Sequence, residues 1–457
     1  MDQVIEKLRR ATQGSAYEGR LYLVGGIVRD KLLAAQLDED IDIVLEGDAA
    51  ELADFLCAKG VAERPPVIYP RFGTAMVTVE GRQVELVGAR KESYDRESRK
   101  PSTRPGTLAD DALRRDFTIN TLLENLHTGE VVDLTGQALA DIRDRVIRAP
   151  QDPILTFDDD PLRMLRAVRF ATRLGFAIDP ATYAAIGKRA SRIGIVSAER
   201  IRAEFVKILM SPNASAGLEM LRETGLLGQF ATELDAMHGV IQNVHHIHDV
   251  WTHTLKTLEL IPLEAGMILR LTALLHDAGK VATRTVDEHG TAHFYRHEVV
   301  GADIARHLMR RLRFANPQIG RVALLICMHL RVGEYDEQWS DAAVRRLIRD
   351  AGKHLEDLIQ LTAADKAAAN PEMTHVDLDA FRSHVRRVRD QLADQQIRSP
   401  LDGREIIEVL GLEPGPDVGA IKTYLENQIV EGNLLAGDKM GAVELLLRKY
   451  GKTSDQH

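Results

Sequence analysis

Residues 21–45 constrain this chain more than any other stretch. Leu21-Tyr22-Leu23-Val24 is an apolar run of strand length, Gly25-Gly26 interrupts it, and residues 27–35 carry the spacing of a helix. A strand, a glycine pair and a helix start bring bare backbone N–H groups close together, which suits a phosphate. Asp40 and Asp42 then alternate with Ile41 and Ile43. In a strand, residues two apart share a face, so both carboxylates point one way while the isoleucines face a core. Adjacent carboxylates repel unless a cation lies between them, and Mg²⁺ shared with triphosphate oxygens fits that need. A glycine pair alone is usually a turn, and an Asp-x-Asp alone is often a solvated strand face. Their order in one short stretch favours a nucleotidyl-transfer centre.

A chain of 457 residues exceeds one ordinary core. The expected division is a mixed strand–helix region over 1–150, helices over 151–235, a histidine-rich helical region over 236–370 and a helical tail over 371–457. The formal charge of −9 means that a nucleic-acid partner must be held by local basic patches, not by a global field. Cys57 and Cys327 form no metal-spaced set and read as reduced thiols. Residues 1–10 lack the apolar core of a signal peptide, and no apolar run has the length of a membrane span. The expected location is therefore cytoplasmic, with no membrane partner. Nothing in the sequence fixes an oligomeric state.

Within the first region, residues 49–59 read as a helix, and 75–79 and 83–87 as strands about a turn at Glu80-Gly81. Glu85 is either a third carboxylate beside the metal or an exposed strand residue. Residues 89–111 show no apolar periodicity, and Pro101, Pro105 and Gly106 point to an irregular loop, either a solvated surface or a moving element beside a site. Arg114-Arg115-Asp116 opens the apolar run to Asn120, either as a helix-end cluster or as groups for a triphosphate and a ribose. From 151 the strands are expected to stop. Asp160-Pro161 starts a helix running to about Leu174, on which Arg163, Arg166, Arg169 and Arg173 make a basic face. Residues 197–210 form another amphipathic helix.

These residues carry a resemblance. Gly25-Gly26-x-Val-Arg29-Asp30 with Asp40-x-Asp42, Arg71-Phe-Gly-Thr74, Arg114-Arg115-Asp116-Phe-Thr-Ile-Asn120 and Asp159-Asp160-Pro-Leu-Arg163 resemble, in order, the class II tRNA nucleotidyltransferases. These are the bacterial-type CCA-adding enzymes and their poly(A) polymerase relatives. The resemblance spans roughly 20–210. It implies an α+β, polymerase-β-like nucleotidyltransferase head, followed by an all-α neck, body and tail. It implies Asp40 and Asp42 as catalytic Mg²⁺ ligands, with Gly25, Gly26, Arg29, Arg115, Asp116, Asn120, Arg166 and Arg169 around the nucleotide. It also implies that Asp160 and Arg163 read the base.

Hydrogen-bond logic supports that last role. A carboxylate accepts and a guanidinium donates. Cytosine and adenine each offer an amino donor beside a ring acceptor, which the pair satisfies; uracil and guanine present the reverse order and leave groups unpaired. The expected substrates are CTP, ATP and the tRNA 3′ end, with the basic helix face tracking acceptor-stem phosphates. The 89–111 loop would change pocket shape between C and A, and its presence argues against CC-only members. The rivals are an A-adding enzyme and a poly(A) polymerase.

A second chemistry follows downstream. His253, His276-Asp277 and Asp365 have the order of an HD phosphohydrolase domain, His297 and His329 sit where a second metal set is often found, and Gly279-Lys280 follows the His-Asp pair. Such ligands suit a divalent transition metal or, less tightly, Mg²⁺, and hence hydrolysis of a phosphoester. His245, His246 and His248 read as packing or surface residues. A different-class reading makes this region an RNA-end phosphohydrolase with the head as an RNA-binding module.

Overall fold

The computed structural model describes residues 2–35, 40–95, 98–242, 247–369, 376–394 and 398–450. His245, His246 and residues 452–457, expected to fray, lie outside them. The chain divides into two units, Met1–Ala236 with Leu308–Phe314, and Met237–His307 with Ala315–His457.

The first unit is built on a seven-stranded sheet. In chain order its strands are β1 (Leu21–Val24), β2 (Ile41–Leu45), β3 (Val67–Tyr69), β4 (Thr74–Val79) and β5 (Arg82–Gly88); a separate pair, β6 (Arg90–Asp95) and β7 (Ser98–Pro105), precedes β8 (Leu123–Asn125) and β9 (Val131–Val132). The sheet order is β3-β4-β5-β2-β1-β8-β9. Within this sheet, among the described residues, only β2 and β5 run parallel, with Asp42 opposite Glu85; its remaining pairs are antiparallel. Leu23, Ile41, Ile43 and Leu86 are buried, each contributing about 1.5–3 kcal/mol by leaving water. The same alternation leaves Asp42 on the other face.

Residues 89–111 are not an irregular loop. β6 and β7 pair as an antiparallel ribbon from Arg90–Pro105 to Asp95–Ser98, and the helix Leu108–Leu113 follows, with a capping box between Thr107 and Asp110. Among the described residues the ribbon pairs with no other strand, so Pro101 costs no ladder bond to a further neighbour. Nor do strands stop at 151. β10 (Val146–Ile147) pairs parallel with β11 (Ala177–Ile178), and β12 (Thr285–Val286) pairs with β13 (Ala292–His293).

Beyond the sheet, the helix Pro153–Asp159 is capped by Asp152, and Leu162–Leu174 packs on Ala198–Leu209 and Ala214–Glu223. In the second unit, helices Val250–Glu259, Gly266–Leu275, Asn316–Gly333 and Leu355–Ala368 pack together. Leu325, Val332, Leu358 and Phe381 share a core there. The helices Gly403–Leu410, Pro416–Val430 and Lys439–Tyr450 close a smaller core with Ile406, Leu425 and Leu446. Among the described residues, no helix is long and apolar enough to cross a membrane.

Candidate functional site

Gly25 ends β1 with φ 82°, a conformation that a side chain resists. Its Cα is flanked on both sides: a Cβ would lie 3.6 Å from Arg115 Nη1 and 3.8 Å from Asp42 Oδ2. The turn therefore sits between a guanidinium and a carboxylate. It opens on a cavity of about 660 Å³ lined by Gly25, Gly26, Arg29, Asp40, Asp42, Arg115, Asp116, Asn120, Arg166 and Arg169. The cavity gathers ten of the residues expected from sequence.

Charge is concentrated unevenly in it. Burial, then Glu85 across the strand pair, push the Asp42 carboxyl up to about 6; Arg115 opposes them and Asp40 adds to the rise. A carboxylate crowded by two others is a place for a cation, so the donor set fits a divalent metal. Arg115 is braced from behind by Asp111, which accepts from its Nε at 3.1 Å and its Nη2 at 2.9 Å. Asp111 also holds Arg114. Burial would raise the Asp111 carboxyl, but Arg115 and Arg114 hold it below its ordinary range.

Asp116 is fully engaged. Its Oδ1 accepts from Phe117 N at 2.8 Å and Asn120 Nδ2 at 3.0 Å, and its Oδ2 accepts from Arg166 at 2.8 and 2.5 Å. Asn120 Oδ1 in turn accepts from Arg29 Nη1 at 2.7 Å. Burial works against the charged form of Asp116, yet Arg166 and Asn120 hold its carboxyl well below the usual range. These four bonds use about the full accepting capacity of a carboxylate.

The arginines of helix Leu162–Leu174 correct the expected basic face. Arg163 and Arg169 are buried, and Arg166, Arg169 and Arg173 line the cavity. Phe170 organises them, with the guanidinium carbons of Arg169, Arg29 and Arg166 at 4.3, 5.2 and 5.5 Å from its ring centre. Burial, then Arg166, lower the Arg169 guanidinium to about 10, and Glu204 pairs with its Nε at 3.1 Å.

Asp160 and Arg163 are not among the residues lining the cavity. Asp160 Oδ1 accepts from Leu162 N at 3.1 Å, which makes it a cap, and its Oδ2 accepts from Arg200 Nη2 at 2.9 Å. Arg163 donates to the carbonyls of Thr156, at 3.3 Å, and Arg114. Asp111, Phe170, Glu204 and Lys207, which also lines the cavity, carried no functional signal in the sequence; spacing alone places them on helix faces.

In the second unit all six expected ligands converge. Two triads, His253–His276–Asp277 and Asp277–His297–His329, each hold their ligand atoms within 4.8 Å and share Asp277. Asp365 Oδ1 lies 2.9 Å from His253 Nε2 and 3.5 Å from His276 Nε2. Three rings are oriented alike: Nδ1 of His276, His297 and His329 faces the carbonyls of Ala273, Phe294 and Ile326 at 2.8, 2.9 and 2.6 Å. A carbonyl only accepts, so each Nδ1 carries hydrogen and each Nε2 is the nitrogen left to face inward. His297 Nε2 and His329 Nε2 lie within hydrogen-bond distance of one another, at 3.3 Å. His276 Nε2 is buried and faces two carboxylates, Asp277 Oδ2 at 3.3 Å and Asp365 Oδ1 at 3.5 Å. Such atoms accept a cation, so the set fits a divalent metal. His248 stays outside both triads.

The turn after His276 is held tightly. A Cβ on Gly279 would lie 2.1 Å from His297 O, so the backbone approaches the helix His297–Arg311 as only glycine allows. Lys280 Nζ reaches Asp277 Oδ2 at 2.7 Å and donates to Gln242 Oε1 at 2.7 Å. Gln242 was not foreseen; its role depends on a contact between distant segments.

Known proteins match both regions. Family models described as "Poly A polymerase head domain", "Probable RNA and SrmB- binding site of polymerase A" and "HD domain" match residues 21–148, 175–237 and 250–370. The CC-adding tRNA nucleotidyltransferase of Thermus thermophilus is 37% identical over 75% of this chain and 77% of its own length. The A-adding tRNA nucleotidyltransferase of Deinococcus radiodurans is 34% identical over 69% and 74%, and the CCA-adding enzyme of Enterococcus faecalis 27% over 90% and 88%. In fold, the chain is similar to the Bacillus stearothermophilus CCA-adding enzyme crystallised with CTP, with TM-score 0.66 and 23% identity over 98% of this chain and 95% of that one.

Proposed function

The chain belongs to the tRNA nucleotidyltransferase family, and from that premise we propose that it adds C, C and A to the tRNA 3′ end, from CTP and ATP and without a nucleic-acid template. The observation that carries this reading is the cavity in which Gly25, Asp42 and Arg115 meet. The tRNA 3′-hydroxyl attacks the α-phosphate and pyrophosphate leaves. Asp40 and Asp42 would hold Mg²⁺, which when bound polarises the phosphate oxygens and favours the attacking alkoxide. Arg115, held in place by Asp111, faces the triphosphate, and the arginines around Phe170 extend the positive wall toward RNA phosphates.

Base choice is assigned to Asp160 and Arg163. Arg163 has five N–H donors and uses two on carbonyls, while each Asp160 oxygen has one bond and retains a lone pair. The pair therefore keeps capacity for the amino donor and ring acceptor shared by cytosine and adenine. The β6–β7 ribbon is the element proposed to reshape the pocket between the two. The relatives that match include CC-adding, A-adding and CCA-adding enzymes; the ribbon argues against the first, and nucleotide usage separates the other two. Pyrophosphate release from CTP, dependent on a tRNA lacking its terminal CCA and lost in Asp42→Ala, tests the reading.

A specific observation supports a second activity. The inward-facing ring nitrogens of His253, His276, His297 and His329, with Asp277 shared between two triads, suit a two-metal phosphohydrolase acting on RNA ends. A divalent ion there would supply a nucleophilic water. Lys280 neutralises one oxygen of Asp277.

A further inference from the structure

Where the β12–β13 hairpin ends, just before His297, the chain places an aromatic pair that neither reading uses. The rings of His293 and Tyr295 stack 5.6 Å apart, only 6° from parallel. His293 Nε2 bonds to Asp287 Oδ2 at 2.9 Å, which fixes its ring from the other side of the hairpin. Tyr295 is 72% exposed. One of its faces covers His293 and the other is open to water. Exposure of so large a ring, already ordered against a neighbour, has no folding benefit.

The pair is tied to the metal centre through Phe294. Its carbonyl accepts from His297 Nδ1, and its ring lies 5.6 Å from Lys280 Nζ, the amine that holds Asp277. Tyr295 begins one peptide unit away, about 3.8 Å along the chain. Arg296, exposed, adopts φ 60°, a left-handed turn uncommon for a side-chain-bearing residue. Across this turn Tyr295 stays outside while His297 enters the ligand set.

We propose that Tyr295, backed by His293, is a stacking platform for the nucleobase of a ribonucleotide whose phosphate enters the centre around Asp277. The inference rests on the phosphohydrolase reading of that centre. Nucleic-acid bases stack on open aromatic faces whatever their sequence, and a base is joined through one sugar to its phosphate. The exposed guanidinium of Arg296 adds positive charge beside the platform, as an anionic ligand requires. A site serving RNA ends of any sequence needs such sequence-tolerant contact.

The test uses the full chain with Mg²⁺ in wild-type, Tyr295→Ala and Tyr295→Phe forms. Hydrolysis of adenosine 2′,3′-cyclic phosphate is compared with that of β-glycerophosphate, which has no base, and adenosine 3′-monophosphate binding is followed by equilibrium dialysis. The platform predicts that Tyr295→Ala lowers the preference for the nucleotide, in kcat/KM, about tenfold and weakens dialysis binding to match, mainly through KM, while Tyr295→Phe keeps both. An unchanged preference and unchanged binding in Tyr295→Ala overturn it, even if phosphoester hydrolysis persists. If the wild type hydrolyses neither phosphoester, the phosphohydrolase reading fails by itself, and the dialysis comparison alone decides the platform.

Discussion

Arg166 donates two hydrogen bonds to one oxygen of Asp116, at 2.8 and 2.5 Å. The bond joins the helix Leu162–Leu174 to the segment that carries Arg115, and Asn120 continues it to Arg29 beside the glycine turn. Arg166, Asp116, Asn120 and Arg29 thus form one connected network along the cavity wall.

Removing Arg166 leaves a buried carboxylate without its main partner. Arg166→Met is expected to destabilise the first unit by about 3 kcal/mol. Because Asp116 is held below its unfolded value, its contribution is present above about pH 4 and is lost as pH falls further, when the unfolded state takes up the proton first. Denaturant unfolding between pH 3 and 7 checks this: the wild type should lose stability on acidification more steeply than Arg166→Met.

Asp42 behaves in the opposite sense. Its carboxyl lies near 6 because of burial and Glu85, so below that pH it is increasingly protonated and holds a cation poorly. Nucleotide addition is expected to fall on the acid side of about pH 6. Glu85→Gln should shift that limb to lower pH without abolishing activity. Loss of activity at all pH values would instead make Glu85 a ligand. Asp42→Ala should abolish addition while tRNA binding, measured by filter retention, changes less than about threefold.

Base choice offers a separate check. Asp160→Ala is expected to raise UTP misincorporation about tenfold or more relative to CTP, with KM for the correct nucleotide changing less. Single-nucleotide extension on one tRNA transcript measures it. If UTP and GTP stay excluded, Asp160 is a cap and a partner of Arg200 only.

The second centre should be independent of the first. His276→Ala is expected to lose bound divalent metal, by elemental analysis, and phosphoester hydrolysis together, while nucleotide addition remains within about twofold. Loss of hydrolysis through Asp42→Ala instead would place both activities in the head.

The parts legible in the sequence were those fixed by local chemistry. Strand β1, the Gly25 turn and the Asp40–Asp42 pair follow from period-two alternation and a positive φ. The ordered His-Asp spacing likewise brought six ligands to one place. The β6–β7 ribbon was not legible, because a two-stranded ribbon with no further strand beside it needs no apolar face and therefore carries no alternation. The periodicity of Arg163, Arg166, Arg169 and Arg173 correctly gave one helix face, but it does not say whether solvent or a cavity meets that face. The braces Asp111, Glu204 and Gln242 depend on contacts made only after folding, and Phe170 looked like any core residue.

The measurement that bears most directly on the central claim is an addition assay with Mg²⁺ on three tRNA transcripts, ending at the discriminator base, after one C, and after two, each offered single labelled nucleotides. The account predicts two C additions followed by one A, and then arrest. Incorporation of A on the CC-ended transcript alone would make the protein an A-adding enzyme. CTP incorporation without A would make it CC-adding, and either result contradicts the proposed function.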